Sequence, residues 1–144
     1  GLVDIVAQRL RSENKMLVVG VSSFQLEIPE GLFDKQEIEH GIHAGEIETS
    51  IMLYLRSETV HMDQAKYFKP VSPLMQGEYK LIDIRGPGRV AWQAQDLNPS
   101  GAVGRARNAD PKRGGILMQH MVERVTKVLQ EMTVFQTANI GNGG

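Results

Sequence analysis

The sequence contains no cysteine, so it can form neither a disulfide framework nor a thiolate metal site. It also lacks an excess of positive charge, because 16 Lys and Arg residues stand against 17 Asp and Glu residues, a formal net charge of −1. Since nucleic-acid binding needs a concentrated basic face, we expect no nucleic acid among the partners. The apolar content of 41% and the charged content of 23% are ordinary for a soluble globular protein.

Long apolar runs are missing as well. None approaches the ~20 residues that a membrane-spanning helix needs, and the N-terminus has no charged leader followed by an apolar core. We therefore predict a cytoplasmic protein with no membrane partner. The length of 144 residues fits one domain, which we place at residues 1–136, followed by a disordered tail at residues 137–144.

Apolar residues at helical spacing predict three helices. They cover residues 2–12, residues 46–57, and a long segment that begins at Asp110-Pro111, where the missing N–H of proline costs little. Four cations just before and at the start of the last helix are expected to form a solvated basic rim: Arg105, Arg107, Lys112 and Arg113.

Strand signals are fewer. The apolar run at residues 16–22 (MLVVGVS) predicts a buried strand. The alternating segments 79–85 and 89–95 predict a hairpin around Gly86-Pro87-Gly88. This order of elements indicates an α/β domain with a small sheet, whose edges stay exposed unless another segment pairs with them.

The segment from Glu39 to Ser50 concentrates the groups that can do acid–base chemistry. In a helix that begins near Gly45, Glu48 shares a face with apolar residues three, four and seven positions later. A carboxylate on such a face needs a partner, and His43 lies at the mouth of the same helix. A carboxylate on one ring nitrogen orients the imidazole, which suits a proton shuttle near neutral pH. Ala44 and Gly45 would leave room for a substrate.

Two other interpretations of the same segment stay open. Glu46 and Glu48 would complement the dipole at the N-terminus of the helix without any catalytic role. Alternatively, His40, His43 and Glu46 follow a His-x-x-His-x-x-Glu pattern that could bind a metal ion.

The block from His43 to Ser50 (HAGEIETS) resembles the HAGExETS signature of the creatininase (creatinine amidohydrolase) family. Further similarity follows it in the family's order: Ile51-Met52-Leu53-Tyr54-Leu55-Arg56, Met62-Asp63-x-Ala65, Trp92-Gln93, and Gln95 to Gly104 (QDLNPSGAVG). The resemblance runs from the first helix to about residue 132. It implies a layered α/β/α fold, of which this chain would be the C-terminal half.

The resemblance also implies a function, namely metal-dependent hydrolysis of the C–N bond of an amide or a cyclic amide. His43 would be the proton shuttle and Glu48 its neighbour, beside a centre of two divalent metal ions, zinc or manganese. Gly45 and the loop with Ser100, Gly101 and Gly104 would contribute to the substrate pocket.

The family's metal ligands lie mostly in its first half, in a Glu-x-His element, a downstream Asp and an Asn-Gly-His segment. None of these precedes Leu2, so we expect this chain alone to bind no such ions and to be too short at its front for a complete enzyme. The tryptophans of enzymes that act on creatinine are also not matched, since those positions fall near Ser22 to Phe24 and at Glu39 and His40. The resemblance thus favours another small amide substrate.

Two hypotheses about function follow. In one, the chain supplies the acid–base half of an amidohydrolase site together with a missing N-terminal half. In the other, it is a truncated, non-catalytic relative that persists as a homo-oligomer, with its exposed edge paired to a copy of itself.

Overall fold

The structure, a computed structural model, describes residues 1–71, 77–84 and 87–136. The chain divides into two compact units, one made of Gly1–Ile28 and Gln119–Gly144 and the other of Pro29–Met118. The predicted tail at residues 137–144 lies outside the described residues. Helices and strands occur together, which confirms the predicted α/β class.

Five α-helices and four two-residue strands make up the described elements, with short 3-10 helices between them. The helices are α1 (Leu2–Asn14), α2 (Lys35–His40), α3 (Glu46–Arg56), α4 (Ala94–Leu97) and α5 (Pro111–Val134). The strands are β1 (Tyr67–Phe68), β2 (Ile82–Asp83), β3 (Gly88–Arg89) and β4 (Gly104–Arg105). The 3-10 helices are Ser23–Gln25, Ser57–Thr59, Met62–Gln64 and Ala106–Asn108.

The three helices predicted from apolar spacing are confirmed as α1, α3 and α5. Helix α5 begins at Pro111, and the Asp110 carboxylate accepts a hydrogen bond from the N–H of Lys112 at 2.7 Å. This contact satisfies one of the N–H groups that a helix N-terminus leaves unpaired. In the described part of the chain, no helix combines the length and the apolarity needed to cross a membrane.

The predicted strand at residues 16–22 is wrong, because this segment has no regular secondary structure. Met16, Val19 and Val21 are 51%, 43% and 46% exposed. A strand forms only where a neighbour accepts and donates the ladder hydrogen bonds, and none of the described strands pairs with this segment. An apolar sequence alone therefore does not make the segment a strand.

The predicted hairpin around Gly86-Pro87-Gly88 is also wrong in its pairing. Strands β2 and β3 pair in parallel, with Ile82 opposite Gly88 and Asp83 opposite Arg89. The second predicted strand, residues 89–95, continues instead into α4. Arg85 and Gly86 lie outside the described residues. Pairing direction depends on the backbone conformation of the connection, which glycine and proline permit but do not fix.

The core of the unit Pro29–Met118 lies beside the loop that precedes α3. Ile84, Leu97 and Val103 form a buried cluster, and the partly buried Ile42 packs against it. Strand β4 pairs antiparallel with β1, placing Phe68 opposite Gly104. An isolated antiparallel bridge between His43 and Val103 brings the end of the 98–104 loop next to the segment that leads into α3.

Candidate functional site

His43 and Glu48 lie together at the N-terminus of α3, as the sequence predicted. The distance from His43 Nδ1 to Glu48 Oε2 is 3.4 Å, and the two side chains are 59% and 44% exposed. The pair is therefore accessible from solvent. Its geometry suits an imidazole held by one ring nitrogen while the other remains available to a substrate.

The apolar face that suggested a partner for Glu48 is not a buried one. Met52 and Leu55 on that face are 41% and 48% exposed, whereas the buried residues of α3 are Glu46 and Ser50. The apolar spacing therefore predicted the partner of Glu48 but not the side of the helix that packs inward.

Ala44, between the two, adopts a left-handed backbone conformation with φ 50°. This region is unfavourable for residues other than glycine, asparagine and aspartate. Its N–H donates to Glu48 Oε2 at 2.6 Å, so the same carboxylate oxygen contacts both the imidazole and the backbone next to it. Strained backbone of this kind persists only where the surroundings fix it, and it is typical of functional sites.

The backbone of His43 is fixed by the loop before β4. The N–H of Val103 donates to the His43 carbonyl at 2.7 Å, and the Val103 carbonyl accepts from Ile42 N at 2.9 Å. Val103 itself is fully buried in the core cluster. The side chain of His43 is thus exposed while its main chain is anchored to the core.

Gly45 and Gly104, both predicted to line a substrate pocket, pack against each other. A Cβ on Gly104 would lie 2.6 Å from Gly45 Cα and 2.7 Å from Glu37 Oε1, and Gly104 has a φ of +142°. A Cβ on Gly45 would also collide with Glu37 Oε1. The space beside Gly45 is thus occupied by a carboxylate of α2, and the assignment of both glycines to a substrate pocket stays a prediction.

Ser100 and Gly101, the other two predicted pocket residues, belong to the turn that precedes Val103. The Asn98 side-chain oxygen accepts from Ser100 N at 2.9 Å and from Ser100 Oγ at 2.6 Å. Gly101 has a φ of +75°, which only glycine adopts readily. These contacts account for the turn, and a role in substrate binding stays a prediction for both residues.

Glu46 is buried, with a relative exposure of 2%, and it forms an ion pair with Arg113 at the start of α5. Burial raises the pKa of the Glu46 carboxyl, and the hydrogen bond from Arg113 opposes that shift only in part. The guanidinium also lies over the Phe33 ring, 5.2 Å from its centroid. The expectation of a solvated basic rim is therefore wrong for Arg113, which is 29% exposed and joins α3 to α5.

Arg105 departs from that expectation too. Its side chain is 25% exposed and contacts Asp34 at 3.6 Å. It also donates to Gln36 and lies over the Tyr67 ring, 5.3 Å from the centroid. Arg105 is therefore a link between β4, α2 and β1.

The alternative metal site at His40, His43 and Glu46 does not form in the structure. His40 lies 3.9 Å from Glu39, His43 contacts Glu48, and Glu46 pairs with Arg113. Within residues 1–71, 77–84 and 87–136, no group of three His, Asp or Glu side chains could hold a metal ion. The described residues thus do not fit the two-metal centre that the resemblance implied.

The residue that sequence reasoning missed is Glu37. It is 2% exposed, and its two carboxylate oxygens accept from Glu46 N at 2.7 Å and from Arg105 N at 2.8 Å. A buried apolar residue, Phe33, stands four positions before Glu37, but it lies outside α2 and so gives no helix-face signal for a buried carboxylate. That spacing does not reveal a partner 68 positions away.

Comparison with known proteins gives one family and one solved structure. The sequence model described as creatinine amidohydrolase, for the creatininase family, matches residues 1–129. The crystal structure of the "Putative creatinine amidohydrolase" from Bacteroides fragilis is similar with a TM-score of 0.66 and 21% identity. The similarity covers 94% of this chain and 51% of that one, so the chain spans about half the length of that protein. No curated protein matches the chain.

Proposed function

The chain belongs to the creatininase family, and on that premise we propose that it supplies the acid–base part of a site that hydrolyses the C–N bond of an amide or cyclic amide. The observation that carries the proposal is the exposed pair of His43 and Glu48, 3.4 Å apart. It lies in the motif by which the chain resembles amidohydrolases.

In this proposal Glu48 orients His43 by its contact with Nδ1, leaving Nε2 for the substrate. The imidazole takes a proton during attack of water on the carbonyl and gives it to the leaving nitrogen. The carboxylate beside the ring stabilises the imidazolium that forms in between. The left-handed backbone at Ala44 and the hydrogen bond from its N–H to Glu48 keep the carboxylate in place.

Family membership implies the use of divalent metal ions, and we propose zinc or manganese as their identity. The described residues of this chain do not provide the ligands, so the proposal assigns those ligands to a further segment or chain.

The test is turnover of a panel of cyclic amides and N-formyl amides, creatinine included, by this chain combined with a segment or chain that supplies the metal ligands, with zinc or manganese added. Product carboxylate is followed by NMR. General acid–base catalysis contributes about 10²–10⁴-fold, so His43→Gln should lower kcat by about that factor with little effect on KM, and Glu48→Gln should lower it less. His61→Gln is the control, because His61 is exposed and lies outside the site.

Activity that survives His43→Gln at the level of His61→Gln would contradict the acid–base assignment. The absence of turnover of every member of the panel by that combined, metal-supplied wild-type protein would contradict the proposed activity.

A second candidate is the non-catalytic, self-associating relative. The observation that favours it is the exposed apolar face of α1, which has no buried residue. Leu2, Val3, Ile5 and Val6 are 77%, 71%, 64% and 48% exposed, and such a surface is typical of an interaction site. Analytical ultracentrifugation tests this candidate, since a monomer at all concentrations would contradict it.

A further inference from the structure

Glu37 on α2 carries a buried carboxylate that takes no part in the proposed proton transfers. Its two oxygens accept hydrogen bonds from two separate segments, the first turn of α3 at Glu46 and strand β4 at Arg105. Bonds from N–H groups to an ionised carboxylate are roughly twice as strong as those between neutral groups. Glu37 therefore links the start of α3 to β4, two segments that lie far apart in the sequence.

Three glycines surround this carboxylate closely. A Cβ on Gly41 would lie 2.5 Å from Glu37 Oε1, a Cβ on Gly104 would lie 2.7 Å from the same atom, and a Cβ on Gly45 would collide with it as well. The backbone can enclose the carboxylate only because these positions carry no side chain. The enclosure excludes alternative positions for Glu37.

His43 lies between the two ends of this link. It precedes Glu46 by three residues, and it forms an isolated bridge with Val103, two residues before Arg105. Each hydrogen bond to Glu37 therefore fixes one side of the His43–Val103 bridge. A displacement of either side would shift the His43 backbone, and with it the distance between the imidazole and Glu48.

We propose that Glu37 is a positioning residue for His43: by accepting hydrogen bonds from Glu46 N and Arg105 N, it sets the backbone that holds the imidazole against Glu48. This inference rests on the proposed function for its catalytic consequence, but its structural consequence is measurable without any substrate. Glu37 touches no reacting atom in this proposal, so it acts only through His43.

The test is Glu37→Gln, which preserves size but replaces one acceptor oxygen by an NH₂ group that faces an N–H donor. Amide hydrogen exchange by NMR should rise by about tenfold to a hundredfold at Glu46 or Arg105, the amide that loses its acceptor. The amide exchange rates of Ala44 and Val103 should rise as well. Amides in the second half of α3 should keep their wild-type rates, which distinguishes local repositioning from general destabilisation.

In the turnover assay, Glu37→Gln should lower kcat by about tenfold or more with little effect on KM. The matched control is Glu30→Gln, an exposed glutamate in the turn before α2, which should change neither exchange nor kcat. Wild-type exchange at Ala44 and Val103 in Glu37→Gln, or a kcat equal to that of Glu30→Gln, would overturn the proposal.

The exchange measurement and the turnover assay together distinguish failure of this inference from failure of the proposed function. Altered exchange in Glu37→Gln together with an inactive wild type would support the positioning and reject the activity. If the wild type is active and Glu37→Gln leaves kcat unchanged, the proposed activity is supported and the positioning role is rejected. If Glu37→Gln does not fold, amide exchange in the wild type tests the proposal instead. Exchange at the Glu46 and Arg105 amides that is faster than exchange in the second half of α3 would overturn it.

Discussion

Helix α5 meets α3 at a glycine, and this contact supports a quantitative prediction. A Cβ on Gly114 would lie closer than 3.0 Å to the carbonyl oxygen and carbon of Ser50, and 2.9 Å from Ile51 N. Real Cβ atoms essentially never come this near. The atoms that would be met belong to the α3 backbone, so no side-chain rotation can relieve the collision and the helices must separate.

We therefore expect Gly114→Ala to destabilise the protein. Overpacking in a close contact costs typically about 1–3 kcal/mol, and the upper end applies where backbone is met. Replacing glycine by alanine in a helix recovers about 1 kcal/mol. The net loss should be about 2 kcal/mol, measured by urea unfolding followed by circular dichroism.

The neighbouring glycine is a matched control on the same helix. The atoms nearest to a Cβ on Gly115 belong to the Tyr54 ring, at 2.9 Å, and that side chain is 56% exposed, so it can turn outward. Gly115→Ala should therefore gain up to about 1 kcal/mol from helix propensity. Equal stabilities of Gly114→Ala and Gly115→Ala would contradict a backbone collision at Gly114, because the two substitutions lie side by side in one helix and differ in what the new methyl group meets.

Two further predictions concern pH and metal. Burial raises the pKa of Glu46 above its ordinary 4.5, so the folded state binds this proton more tightly than the unfolded chain does. As pH falls from neutral toward 4.5, the unfolding free energy of wild type should therefore rise relative to that of Glu46→Gln; a constant difference would contradict this. For metal, we predict that the purified chain, expressed with zinc and manganese supplied, contains no stoichiometric metal by mass spectrometry. About two ions per chain would contradict that prediction.

Local chemistry was enough to predict part of the site. His43 and Glu48 are five positions apart, and any helix that starts near Gly45 brings them to the same end. The same local character explains why α1, α3 and α5 were predicted correctly, since apolar spacing and the proline at the start of α5 act within one or two helical turns.

The strands were predicted less well for a related reason. Residues 16–22 have the composition of a buried strand, but strand formation depends on a partner whose position the segment does not encode. Similarly, Gly86-Pro87-Gly88 indicated a reversal of the chain without fixing the direction in which β2 and β3 pair.

From the sequence alone, α1, α3 and α5, the pairing of His43 with Glu48 and the family of the motif could be predicted, whereas α2 and α4 could not. The contacts that hold that pair in place are apparent only in the folded chain. Glu37 accepts from Arg105 across 68 positions, and Glu46 pairs with Arg113 across 67. Such contacts arise because a carboxylate that folding buries needs hydrogen-bond donors, and these can come from segments far away in the sequence. No spacing rule along the sequence predicts which distant segment will supply them.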